Sequence, residues 1–164
     1  MNVFNLITFF VSITTMLQGR VNVRYQEKDG YTTGMSFLSP DTLIVCDSSS
    51  FAVKVVNTNT RELTAYLTVP ASPRGISAMS PTQAAVTLPY IQCIQIVNYC
   101  RDELVQLTAI DTDRIPVKGD CSGIDYDREN KLFAVTFTNP SKVQLIDRQG
   151  NILNTLANES ASQP

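Results

Sequence analysis

The chain has 164 residues, 43% hydrophobic and 17% charged, the composition of one globular domain or part of one. Thirteen Lys and Arg against 15 Asp and Glu leave a net charge of −2, without the cationic excess that sequence-independent nucleic-acid binding needs. His is absent, which removes Ser-His-Asp and Cys-His nucleophile systems, His-ligated zinc and imidazole bases together.

The first element is the uncharged run VFNLITFFVSITTML, Val3 to Leu17. It is shorter than the roughly 20 residues of a membrane span and has the length of a signal-peptide core. No Lys or Arg precedes it, Leu17-Gln18-Gly19 is a poor cleavage site, and its β-branched and aromatic residues also suit a buried strand. Two readings stand: a cytoplasmic protein, which the poor signal features favour, or a secreted one if residues 1–19 act as a signal. After this apolar segment (1–18), a lead-in over 19–33 holds one alternating strand, Arg20 to Tyr25.

From Gly34 onward the chain repeats, with units opening at Gly34, Gly75 and Gly123. Ser39-Pro40 matches Ser80-Pro81, Val45 matches Val86 and Val135, and Asn57 matches Asn98 and Asp147. Each unit predicts four short strands. The first follows the glycine: Met35–Phe37, Ile76–Ala78, Ile124–Tyr126. The second is nearly continuous in apolar residues, as in a strand buried on both faces: Leu43–Cys46, Ala84–Leu88, Leu132–Phe137. The third alternates, with Lys54, Gln95 and Gln144 on one side and Val55, Ile96 and Leu145 as buried equivalents on the other. The fourth covers Leu63–Leu67, Leu104–Leu107 and Ile152–Leu156. The fold class is therefore all-β, a partial β-propeller of about three four-stranded antiparallel blades (34–74, 75–122, 123–157), followed by a polar tail, 158–164, with a glycosylation sequon at Asn158. Propellers close with about four to eight blades, so three leave three readings: part of a longer propeller, a ring completed by association, or an open arc, whose open sheet face at each end predicts self-association or aggregation of the isolated chain.

GIDYDRENKLFAVTFTNPSKVQLIDRQGNIL, from Gly123, resembles an NHL-type repeat of a six-bladed, TolB-like propeller. MSFLSPDTLIVCDSSSFAVKVVN, from Met35, is similar to the propeller region that ends many tripartite-motif proteins. Asp47-Ser48-Ser49-Ser50-Phe51 lacks the Asn and Arg of the NHL core, which leaves a YVTN- or WD-type blade open. The resemblance implies a non-catalytic protein-binding scaffold, the partner-recognition part of a tripartite-motif-like ubiquitin ligase without its RING and B-box. It also leaves two alternatives: an RNA-binding NHL propeller, or a fragment of a secreted propeller hydrolase or lyase.

The residues themselves supply no catalytic set, cofactor motif or metal set. Cys46, Cys93, Cys100 and Cys121 have no CxxC spacing; Cys46 and Cys93 are expected as buried, reduced strand residues. Asp111, Asp113, Asp120, Asp125 and Asp127 are interleaved with Arg114, Lys118 and Arg128, which reads better as solvated charge than as a calcium loop. Asp111 to Gly123 is the longest connection, and its Asp111, Asp113, Arg114, Lys118 and Asp120 form the candidate interaction loop for a protein partner.

Overall fold

A computed structural model of the chain describes residues 30–101 and 106–157. The expectations for residues 1–18, Arg20 to Tyr25, Leu104 and the tail 158–164 lie outside them. The first sheet contains β1 (Thr32–Ser39), β2 (Thr42–Asp47), β3 (Ala52–Asn57) and β4 (Glu62–Thr68). The second contains β5 (Ile76–Ser80), β6 (Gln83–Leu88), β7 (Cys93–Cys100) and β8 (Gln106–Pro116). The third contains β9 (Cys121–Asp127), β10 (Leu132–Thr138), β11 (Ser141–Ile146) and β12 (Ile152–Ala157). In every sheet the four strands lie side by side in chain order, all antiparallel. One turn of 3-10 helix, Pro89–Ile91, joins β6 to β7.

Turn chemistry closes the hairpins. Asn57, Asp127 and Asp147 each fold back to accept backbone N–H groups two and three or four residues on. The register then repeats as the sequence does: Val45 pairs with Lys54, Val86 with Gln95 and Val135 with Gln144. Alternation gives each sheet two apolar faces, and the sheets stack through them. Ile44, Cys46, Val53 and Val55 of the first sheet bury against Ile76, Val86, Leu88 and Val97 of the second. Met79, Ala85, Ile94 and Ile96 of the second bury against Tyr126, Phe133, Val135 and Ile146 of the third.

The repeat glycines sit where the inner strands β1, β5 and β9 approach one another. A Cβ on Gly34 would lie 2.9 Å from the Arg74 carbonyl oxygen and 3.3 Å from the Gly75 Cα. One on Gly75 would strike the Ser122 carbonyl oxygen and lie 3.1 Å from the Gly123 Cα. Only a residue without a side chain lets adjacent sheets come this close. Beside it, Thr87 accepts the Gly75 N–H at 2.7 Å and donates to the Ser122 carbonyl at 2.6 Å, tying the second sheet to the third. Cys46 holds the same place in the first sheet, its thiol 3.8 Å from the Gly75 carbonyl.

Four expectations need correction. The fourth strand of the second unit is β8, reaching Pro116 rather than ending at Leu107. Asp111, Asp113 and Arg114 therefore lie on a strand and not in a connecting loop. In the third sheet the second strand alternates between buried and less buried residues, because no described sheet covers its outer side. For the same reason Leu145 is only half-buried, whereas its counterparts Val55 and Ile96 are buried.

Candidate interaction surface

The extra length of the second repeat is taken up inside β8. Gln95 pairs with Arg114 while Val97 pairs with Ala109, so residues 110–113 stand opposite Ile96 alone. The strand is bulged over these four residues, which include Asp111 and Asp113. Arg114 anchors the end of the bulge, donating from Nε to Gln95 Oε1 at 2.8 Å. Lys118 and Asp120 lie beyond the strand, exposed, in the crossing from β8 to β9. The five candidate residues are thus divided between a strand bulge and a rim crossing.

Antiparallel order puts the β2–β3, β6–β7 and β10–β11 turns, the crossings between sheets and the start of β1 at one rim. Backbone hydrogen bonds knit it together: Ser48 N–H to Tyr31 O at 2.9 Å, Val69 N–H to Phe51 O at 2.8 Å and Val117 N–H to Gln92 O at 2.8 Å. Large apolar side chains point outward from this rim. Tyr90 is 83% exposed and Tyr31 63%, with Phe51 and Ile91 also exposed. Arg74, Lys118 and Asp120 are exposed beside them. Phe51 and Gln92 hold equivalent places at the ends of their turns, both with φ of 49°. A bulky side chain rarely adopts this left-handed conformation, and such strain gathers at functional positions. Sequence reasoning missed this rim; its signal was a lone aromatic in each of two turns, SSSF and PYIQ.

The charged groups are largely committed to structure. Burial pushes the Asp47 carboxyl up, but the Lys54 ammonium and bonds from Ser50, Ser49 and the Tyr31 N–H hold it well below the ordinary carboxylate range. Asp41 is likewise held low by the Arg101 guanidinium, 2.8 Å away, and by Ser39 and Thr42. Asp125 accepts from the Ser77 hydroxyl at 3.0 Å, across the sheet boundary. Among the described residues no three His, Cys, Asp or Glu side chains converge as a metal set. Cys46, Cys93 and Cys121 are buried free thiols; burial, with the neighbouring Cys93, lifts Cys121 to about 11. Buried protonated thiols of this kind are poor nucleophiles.

No protein-family model and no curated protein matches the chain. Solved structures do. A chain of Kuenenia stuttgartiensis hydrazine synthase is 18% identical with a TM-score of 0.64, over 86% of this chain and 40% of that one. A chain of the nidogen/laminin complex is 18% identical with a TM-score of 0.58, over 77% and 49%. A functionally unknown protein from Desulfotomaculum acetoxidans is 13% identical with a TM-score of 0.56, over 71% and 37%. The chain spans less than half the length of each. At these identities the likeness concerns the fold, and it agrees with the three stacked four-stranded sheets: the described chain is a partial β-propeller.

Proposed function

We propose that the chain is a non-catalytic protein-interaction module that binds its partner through the aromatic rim. The observation that carries this reading is the outward display of Tyr31, Phe51, Tyr90 and Ile91 at one end of a rigid scaffold, with Phe51 held at positive φ. Tyr and other aromatics give large contact areas at low conformational cost and dominate interface hot spots. Arg74, Lys118 and Asp120 supply a mixed polar border. One structural neighbour, nidogen with laminin, is itself part of a protein complex. The finer reading, partner recognition for a tripartite-motif-like ligase, is supported by the sequence resemblance of the first and third repeats.

The test is affinity capture followed by mass spectrometry, comparing the chain with a Phe51→Gly, Tyr90→Ser variant. Partners lost with the variant, while its melting temperature is held or raised, support the rim. Equal capture by both proteins rejects it, and a salt-dependent gel shift with single-stranded RNA would favour the nucleic-acid alternative.

A further inference from the structure

The two junctions between sheets are built alike. At the first, a Cβ on Gly34 would lie 3.3 Å from the Gly75 Cα, and Ser36 Oγ accepts the Ala78 N–H at 3.0 Å. At the second, a Cβ on Gly75 would lie 3.1 Å from the Gly123 Cα, Ser77 Oγ accepts the Tyr126 N–H at 3.0 Å, and Thr87 donates to the Ser122 carbonyl at 2.6 Å. Val55 and Ile96 are buried in the first and second contact respectively. The repeat puts Gly123, Asp125, Thr136 and Leu145 of the third sheet at these same places. No described sheet packs on that side. A Cβ on Gly123 would touch only the Thr136 side chain, Asp125 and Thr136 are exposed, and Leu145 is half-buried. Thr136 accepts the Gly123 N–H at 2.7 Å, as Thr87 accepts that of Gly75. Its hydroxyl, however, has only the Gly123 carbonyl, at 3.4 Å, to donate to among the described residues.

We propose that this face is the docking site for a further four-stranded antiparallel sheet of the same repeat, carried by a partner polypeptide. Continuity with the two filled junctions states the chemistry of the incoming strand. It has a glycine, because each filled junction brings a glycine Cα too close for a side chain. The carbonyl before that glycine takes the Thr136 hydroxyl, as the Ser122 carbonyl takes that of Thr87. Apolar residues follow one and three positions on, as Ile76 and Ala78 follow Gly75, and Ile124 and Tyr126 follow Gly123. The rest of the sheet lies over Leu145 and Leu156. A helix laid on the same face would bring side chains and no free carbonyl, since its carbonyls are bonded within it. Without the partner, the face is left to a second copy of the chain. The proposal does not depend on the aromatic rim.

Thiol labelling of the full chain and of a tandem chain tests the proposal. In the tandem chain residues 117–157 are inserted a second time after Ala157, which supplies such a sheet on the same connection that joins the second sheet to the third. Thr136→Cys is the probe, since Cys46 holds that place in the first sheet, and the exposed Cys100 is the internal standard. In the parent chain at low concentration the new thiol should label at the rate of Cys100. In the tandem chain the same substitution in the inner copy of the unit should label at least about tenfold more slowly, while in the terminal copy it keeps the parent rate. Adding Gly123→Val to the inner copy should restore fast labelling. Fast labelling of the inner thiol in the tandem chain, slow labelling in the parent at every concentration, or protection that survives Gly123→Val would each overturn the assignment.

Discussion

At Lys54, Gln95 and Gln144 the same register position is polar and buried in all three sheets. The chemistry that satisfies it differs: an ion pair with Asp47, a bond from Arg114 and a bond to Thr155. Lys54 is the one whose loss strands a charge. Lys54→Met should cost about 3–5 kcal/mol, because Asp47 keeps a buried carboxylate without its cation. The pair also sets a pH dependence. Asp47 is held below its ordinary value of 3.8, so its contribution is complete at neutral pH and is lost as pH falls through and below about 4. Urea titrations at pH 7 and pH 2.5 should show a smaller drop for Asp47→Asn than for the parent, and an equal drop would mean that the carboxylate is not stabilised by folding. Thr87 offers a second contrast. Thr87→Val leaves the Gly75 N–H and the Ser122 carbonyl without their buried partner and should cost about 1–3 kcal/mol. At the exposed counterpart, Thr136→Val, water replaces the lost bond and the cost should stay under about 1 kcal/mol.

Sheet stacking decides which repeat positions matter. Ile96 and Leu145 are equivalents by sequence, yet only Ile96 is sealed by a neighbouring sheet. Ile96→Ala should cost about 2–4 kcal/mol in thermal or urea unfolding, and Leu145→Ala less than half of that. Gly75→Ala places a methyl group against backbone of the next sheet and should cost about 1–3 kcal/mol, whereas at Gly123 the obstacle is the Thr136 side chain, which can turn. The strands themselves were legible because a period of two, an opening glycine and Asx turns are local signals that recur three times. The bulge in β8 was not: Asp and Thr there look like loop residues, and only pairing with β7 draws Arg114 back into the ladder at Gln95. The rim aromatics escaped for the opposite reason, since a single Phe or Tyr in a turn has no periodicity and becomes a surface only when strand order brings several turns together.

For the whole molecule, an arc of three sheets was expected to be open at both ends; among the described residues the outer face of the third sheet is exposed, whereas Leu43, Val45 and Val56 on that of the first are buried. Its outer face repeats the positions that are sealed elsewhere: Thr136 stands where Cys46 and Thr87 are buried, and Leu145 where Val55 and Ile96 are buried. With Leu156, at 61% exposed, these positions form an apolar patch of the kind that soluble monomers rarely leave bare. Two open ends of different shape would pair head to tail and build rings or filaments. One open end pairs with its own copy about a two-fold axis and stops at a dimer. Light scattering at micromolar concentration should therefore give twice the 18.1 kDa chain mass. Leu145→Lys with Leu156→Lys should return a monomer that still unfolds cooperatively, its melting temperature lowered only modestly by the lost dimer contact, because neither side chain is sealed in the core. A monodisperse monomer of the full chain would show that the outer face of the third sheet needs no cover.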